Sequence, residues 1–195
     1  MRWFIYTLFL ILALLLIMAI GWTVADAALA GPSTEVVLHD ILAAHGSPLA
    51  DVAYRPVAYW RAHPGSFDLV GWLSVVAAET SLGKDSWSAR TRNVGCIRGG
   101  AVGRPWRDLR VGVTSGGFNV YGNWADGVRA SILLLVLSPR GYMGYLMRDD
   151  FRGFTRAYWG GDYFAYPAKR EAYIRSLERF HAVFAREGRV RGLAW

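Results

Sequence analysis

The chain has almost no cysteine: Cys96 stands alone among 195 residues, which excludes an intrachain disulfide and any multi-cysteine metal site. Its simplest role is that of a small apolar residue in a tight segment. Other signatures are missing as well. There is no HExxH, no phosphate-cradling GxxxxGK[ST] and no GxSxG elbow, and His39, His45, His63 and His181 have no zinc spacing, so neither a metal nor another cofactor is implied. The formal charge of +7 predicts attraction to polyanions. Without a basic run, an RNA-binding signature or a paired-cysteine finger, that charge does not point to nucleic acid as the partner. Internal repeats and low-complexity linkers are absent too, leaving room for one sizeable domain behind any targeting segment.

What is present starts with a long apolar run. After Met1 and Arg2 comes WFIYTLFLILALLLIMAIGWTVA, interrupted only by Thr7 and Thr23, and long enough at helical rise to cross a hydrocarbon core of ~30 Å. Residues 1–30 therefore read as a hydrophobic helix that is either a membrane anchor or a cleaved signal peptide. The unbroken length favours the anchor, and Ala25-Asp26-Ala27 and Ala28-Leu29-Ala30 favour cleavage. In both cases Arg2 stays on the cytoplasmic side and residues 31–195 are exported.

From Gly31 onward the pattern is that of a mostly α domain, α+β in class, with a small irregular β-lobe. Ser33 or Thr34 caps a short helix through about Ala44, and Pro48, Pro56 and Pro64 punctuate the stretch that follows. Ser66 caps a helix stopped by Gly83. Between Gly95 and Tyr121, glycines at 95, 99, 100, 103, 112, 116 and 117 break up the short runs CIR, LRVGV and FNVY into a β-lobe. Asn123 caps a third helix, WADGVRASILLLVL, stopped by Pro139 and Gly141. Two short helical pieces follow over Tyr142 to Trp159. Pro167 opens the last helix, where Tyr173, Leu177, Phe180 and Phe184 form one stripe before Gly188.

Glu79 is the residue with the most chemistry in it. It ends the apolar run FDLVGWLSVVAAETSLGKD, and helical spacing places Trp72, Val75 and Val76 seven, four and three positions before it. A carboxyl beside an apolar stripe has its pKa raised, and a carboxyl kept protonated near neutral pH is what protonates a leaving oxygen in glycoside cleavage. The plainer alternative is a surface Glu at a helix end.

Four segments in order carry a resemblance to the lysozyme-like superfamily of peptidoglycan hydrolases, and most closely to its glycoside hydrolase family 73 branch of endo-β-N-acetylglucosaminidases and to related phage lysozyme-like proteins. AETSLGKD resembles the family's A-x-E-S-x-x-G-K segment, which implies the catalytic acid for Glu79, with Gly83 and Lys84 in register and Thr80 where the family has Ser. RNVGCIRGG resembles its N-L-F-G-I-K and N-P-G-N-I-R segments, implying substrate contacts for Asn93, Ile97 and Arg98. FNVYGNWADGVRAS is similar to F-R-x-Y-x-S-x-x-x-G-I-R at Phe118, Tyr121, Gly127 and Arg129. AYWGGDYFAYP is loosely similar to the aromatic segment before the last helix. The resemblance spans roughly residues 69–184 and implies a lysozyme-like fold, peptidoglycan glycan strands as partner, and export, with the membrane reached through the N-terminal helix.

Glycoside cleavage also needs help for the oxocarbenium-like centre, either from a second carboxylate or from the sugar's own acetamido group. Asp108 is the only other carboxylate in the lobe, and a surface ion pair with Arg107 or Arg110, worth ~0–1 kcal/mol, is its plainer role. If Asp108 takes no part, Tyr121 is placed to orient the acetamido group. Phe118 and Tyr121 fit a lobe core equally well. Trp106, Trp124, Tyr158 and Trp159 are candidates for stacking on sugar faces, and also for packing. Two alternatives stay open: a lytic transglycosylase, which AYWGG loosely matches, and a non-catalytic wall-binding or virion structural protein of the same fold.

The N-terminal run yields a first prediction. An uncleaved anchor leaves Met1 or Arg2 at the N-terminus of a protein that resists carbonate extraction from membranes, whereas a cleaved signal leaves a soluble protein beginning at Ala28 or Gly31. N-terminal sequencing of the exported chain separates the two.

Overall fold

Val37, Leu38, Ile41 and Leu42 recur at helical spacing and form the buried face of helix α1 (Thr34–Ala44), which the left-handed Gly46 follows. The computed structural model describes residues 32–99 and 104–193. The expected N-terminal hydrophobic helix, both Ala-x-Ala sites, Gly100 and Gly103 lie outside those residues. Among the described residues, no helix is long and apolar enough to cross a membrane.

The proline-punctuated stretch is more helical than its sequence suggests. A 3-10 turn (Ala50–Val52) leads into helix α2 (Tyr54–Ala62), with Pro56 in the first turn, where the missing N–H forfeits no intrahelical bond. Helix α3 (Leu69–Thr80) carries Glu79, but Asp68 caps it and not Ser66. The Asp68 carboxylate accepts from the Gly71 N–H at 2.9 Å, whereas the Ser66 N–H is spent on the His63 carbonyl of the preceding turn. Buried Phe67 anchors the chain between the two, so the helix starts later. It also ends before Gly83, because Ser81 takes the left-handed capping position itself.

Helix α4 (Ser86–Thr91) is capped by Asp85, whose carboxylate accepts from the N–H groups of Trp87 and Ser88. The lobe then holds a one-turn helix α5 (Pro105–Asp108) and an antiparallel pair, β1 (Arg110–Val113) and β2 (Asn119–Tyr121). Its register puts Arg110 opposite Tyr121 and Val113 opposite Asn119, with a bulge between Arg110 and Gly112, and Arg98 bridges to Phe118 beyond the pair. The CIR run thus contributes one bridge and no strand. A mostly helical chain with a small irregular sheet results.

Asn123 caps helix α6 (Trp124–Leu137) as its sequence implies, accepting from the Asp126 N–H at 2.9 Å. Helices α7 (Tyr142–Leu146) and α8 (Phe151–Trp159) are the two short pieces; α9 (Asp162–Ala165) adds a turn before α10 (Pro167–Val190). Helix α10 runs through Gly188, since a single helical glycine costs only about 1 kcal/mol. It packs along α3 and buries Ile174, Leu177 and Phe184. Trp72, fully buried, ties α3 to α6: its Nε1–H donates to Ser131 Oγ at 3.0 Å, and Ser131 donates onward to the Val128 carbonyl.

Gly127 marks the closest approach in this packing. A Cβ there would collide with the carbonyl oxygen of Arg92, the left-handed residue that ends α4. Gly127→Ala is expected to cost ~1–3 kcal/mol or more through overpacking. Gly112→Ala in β1, where a Cβ meets open space, is expected to stay within about 0.5 kcal/mol. Urea midpoints at unchanged slope measure both, and equal midpoints would remove the close-approach argument.

Candidate functional site

Glu79 lies in the last turn of α3, on the side that faces α10. Tyr173 of α10 donates its hydroxyl to Glu79 Oε1 at 2.5 Å, and the Cys96 thiol donates to the Glu79 main-chain carbonyl at 3.7 Å. That carbonyl is one of those a helix C-terminus leaves without an internal partner. The chain leaves α3 through Ser81, Leu82 and Gly83, all with positive φ. Ser47 Oγ donates to the Leu82 carbonyl at 2.7 Å and fixes this exit, while the Trp124 ring lies against Gly83 and under the Arg92 guanidinium. Trp124 therefore braces the turn after the acid; it does not line the cleft that Glu79 opens onto.

Asn93 is fully buried and works on the main chain. Its Nδ2–H group donates to the carbonyls of Ile97 and Asn119, and its Oδ1 accepts from the Ile97 N–H at 2.8 Å. These bonds hold the loop at 93–97 against β2. Tyr121 is likewise inside the lobe, donating to the Trp106 carbonyl at 2.9 Å and accepting from Asn119; burial pushes its hydroxyl up to about 12. Asp108 is exposed at the end of α5. Asn93, Tyr121 and Asp108 do not line the cleft.

Ile97, Arg98, Phe118, Tyr158 and Trp159 do line it, together with Glu79 and Trp106, around a volume of about 900 Å³. Tyr158 donates to the Gly95 carbonyl at 2.5 Å, which joins α8 to the lobe. Its ring packs edge-on to Tyr142, and Trp159 lies 5.2 Å from Tyr173 between ring centroids. Aromatic rings thus surround the carboxyl. Sequence reasoning missed Tyr173 as a site residue by placing it in the apolar stripe of the last helix. The signal was available, because a Tyr among Leu and Phe carries a hydroxyl that needs a partner when buried. It also missed Arg140, Asp162 and Tyr166, which come to the cleft from turns and a short helix, and Lys169 in the first turn of α10.

Burial pushes the Glu79 carboxyl up from its ordinary value, and the hydrogen bonds from Tyr173 and Cys96 pull back less strongly. The α3 C-terminus, with its negative dipole end, disfavours the anion in the same sense. Burial first, and then the nearby Glu79 charge, push the Tyr173 hydroxyl well above its usual range, so it remains a donor. The arrangement can hold a proton on a carboxyl at a pH where an exposed Glu has lost it, and present that proton to a ligand in the cleft.

A stability consequence follows from the sign of this shift. The folded state binds the Glu79 proton more tightly than the unfolded chain, so its contribution is fully present below the ordinary value of 4.5 and is lost as pH rises through the higher folded value. Glu79→Gln, which keeps an acceptor for Tyr173 and carries no charge, is expected to melt with the wild type near pH 4 and above it at alkaline pH. Thermal melts across pH test this; a constant difference at all pH values would mean that Glu79 titrates as an ordinary carboxyl.

No protein-family model, curated protein or solved structure matches this chain.

Proposed function

We propose that this chain is a lysozyme-like peptidoglycan hydrolase of the endo-β-N-acetylglucosaminidase type, exported and acting on glycan strands with Glu79 as general acid. The observation that carries the reading is the desolvated carboxyl, held by Tyr173 in the wall of an aromatic-lined cleft of about 900 Å³. The order of elements supports it: an acid closing one helix, a small β-lobe, then a helix entered through Asn123. With Oε1 taken by the Tyr173 hydroxyl, the proton resides on Oε2 and passes to the leaving glycosidic oxygen.

Stabilisation of the developing cation falls to the substrate. Asp108 lies outside the cleft lining and Tyr121 is spent on the Trp106 carbonyl, so this reading gives the nucleophile's role to the sugar's own acetamido oxygen. Asp162 is the one further carboxylate in the lining, exposed at the start of α9. The same scarcity of carboxylates favours a second reading, a lytic transglycosylase that needs one acid and closes an anhydro ring.

Mass spectrometry of peptidoglycan fragments after incubation tests the proposal. Reducing-end glucosamine is the expected product; an anhydro-muramic end identifies the transglycosylase, a reducing-end muramic acid moves the cut to the other bond, and intact glycan overturns the reading. Glu79→Gln is expected to lower the rate by roughly 10²–10⁴-fold, since proton transfer to the leaving group is lost. Activity falls as pH rises through the Glu79 pKa. Because the Tyr173 bond favours the carboxylate, Tyr173→Phe is expected to move this alkaline limb of kcat/KM to higher pH.

A further inference from the structure

The cleft has a charge pattern that cleavage of a neutral glycan does not require. Arg98 after the lobe loop, Arg107 of α5, Arg140 in the turn before α7 and Lys169 in the first turn of α10 all line it, whereas the carboxyls among the described lining residues are Glu79 and Asp162. Four elements distant in sequence bring cations to one concavity. Arg98, Arg140 and Lys169 are exposed, and each is held by something other than a carboxylate. The Arg98 guanidinium lies 5.0 Å from the Phe118 ring centroid, the Lys169 ammonium 5.1 Å from that of Tyr166, and Arg140 Nη1 donates to the Ala157 carbonyl at 3.1 Å. Carboxylates hold four other cations of the chain: Arg61 by Glu35, Arg152 and Arg170 by Glu171, and Arg191 by Asp40.

Arg98, Arg140 and Lys169, exposed around one concavity and held by rings and a carbonyl, sum to a positive potential at its mouth. With Glu79 protonated, Asp162 is the one group among the described lining residues that opposes them. Uncharged sugars gain nothing from such a field. The part of peptidoglycan that does is the peptide carried on its muramic acid residues, whose free carboxylates hang beside the sugar chain. We propose that the cleft is built for glycan that still bears its anionic peptides, with Arg98, Arg140 and Lys169 receiving the peptide carboxylates while the sugar lies against the aromatic wall at Glu79. The inference rests on the glycan-cleaving reading for the identity of the sugar, but not for its charge. Arginine suits the role because its planar fork meets a carboxylate with two hydrogen bonds.

The experiment titrates the full-length chain, as Glu79→Gln to prevent turnover, with four soluble probes: a peptide-bearing glycan fragment with free carboxylates, the same fragment with those carboxylates amidated, an uncharged N-acetylglucosamine oligomer of the same length, and a short poly(glycerol phosphate). The free-carboxylate fragment is expected to bind about tenfold or more tightly than the amidated fragment and the uncharged oligomer at low salt, and to lose most of that advantage at about 0.5 M salt. In Arg140→Gln/Lys169→Gln the advantage is expected to collapse, while a thermal melt matching that of the parent Glu79→Gln chain serves as the measure of folding. Equal affinity for free and amidated fragments overturns the inference, as does an advantage that survives the double substitution. Equally tight binding of the phosphate polymer overturns the assignment to peptide carboxylates. Parallel cleavage assays on the wild type keep the two claims apart. Charge-selective binding without cleavage sinks the hydrolase and leaves the inference, whereas cleavage with charge-indifferent binding does the reverse.

Discussion

The hydrogen bond from the Tyr173 hydroxyl to Glu79 Oε1, at 2.5 Å, sets the terms for everything around it. A carboxyl removed from water must be neutral or strongly hydrogen-bonded, because an isolated buried anion costs far more than a helix end can supply. Here one hydroxyl meets part of that need, and burial raises the carboxyl's pKa so that the protonated form is favoured for the rest. The bond spans α3 and α10, so the two helices must keep their packing for the acid to keep its state. Buried Ile174, Leu177 and Phe184 hold that packing on the same helix that delivers Tyr173. Apolar area fixes the rotation of α10, and the rotation aims the hydroxyl.

The opposite wall is built by main-chain bonds. Asn93 offers an amide donor and an amide acceptor in one short side chain, and uses both on Ile97 and the donor again on Asn119. Ile97 and Arg98 reach the cleft because that loop is pinned, and the Arg98–Phe118 bridge extends the pinning. Cys96 holds a left-handed φ of 46°, a conformation that a β-carbon disfavours, and its thiol lies at the Glu79 carbonyl. A residue whose sequence context suggests contact with substrate can thus serve the site one layer back, by shaping the backbone that makes contact.

Much of this organisation is legible in the sequence where a local rule decides. The periodic apolar runs of α1, α6 and α10, the Asn123 cap and Pro167 as a helix opener all follow from spacing and backbone chemistry. Glu79 beside Trp72, Val75 and Val76 is legible in the same way, because the stripe and the acid share one helix. Local rules fail where two of them compete. Ser66 and Asp68 are both good caps, and buried Phe67, a tertiary fact, chooses between them. Pro56 reads as punctuation until it is found in a first turn. Tyr121 and Trp124 are aromatic and near the lobe, which cannot tell a ring that lines a cleft from one that braces a turn. The Tyr173 hydroxyl signals a buried partner without naming it, and that partner, Glu79, lies 94 residues away, as the cleft that collects Arg140 and Lys169 is drawn from separate elements, so no spacing rule records either meeting.

The neutral acid and the cationic cleft place opposite demands on one site. A cation close to a carboxyl favours ionisation, which would remove the proton that the proposed acid role of Glu79 requires. The two are reconciled by depth. Arg98, Arg140 and Lys169 are exposed and held to rings or to a carbonyl near the surface, where water screens them, while the equilibrium of Glu79 is set by burial and by the hydrogen bonds from Tyr173 and Cys96. Tyr158 and Trp159 add low-dielectric bulk to the same wall. An anionic ligand that fills the outer part neutralises the cations as it expels the water that screened them. In the proposed reading, the field at the acid therefore changes little when the ligand is seated, and Glu79 keeps its proton for the transfer proposed for it.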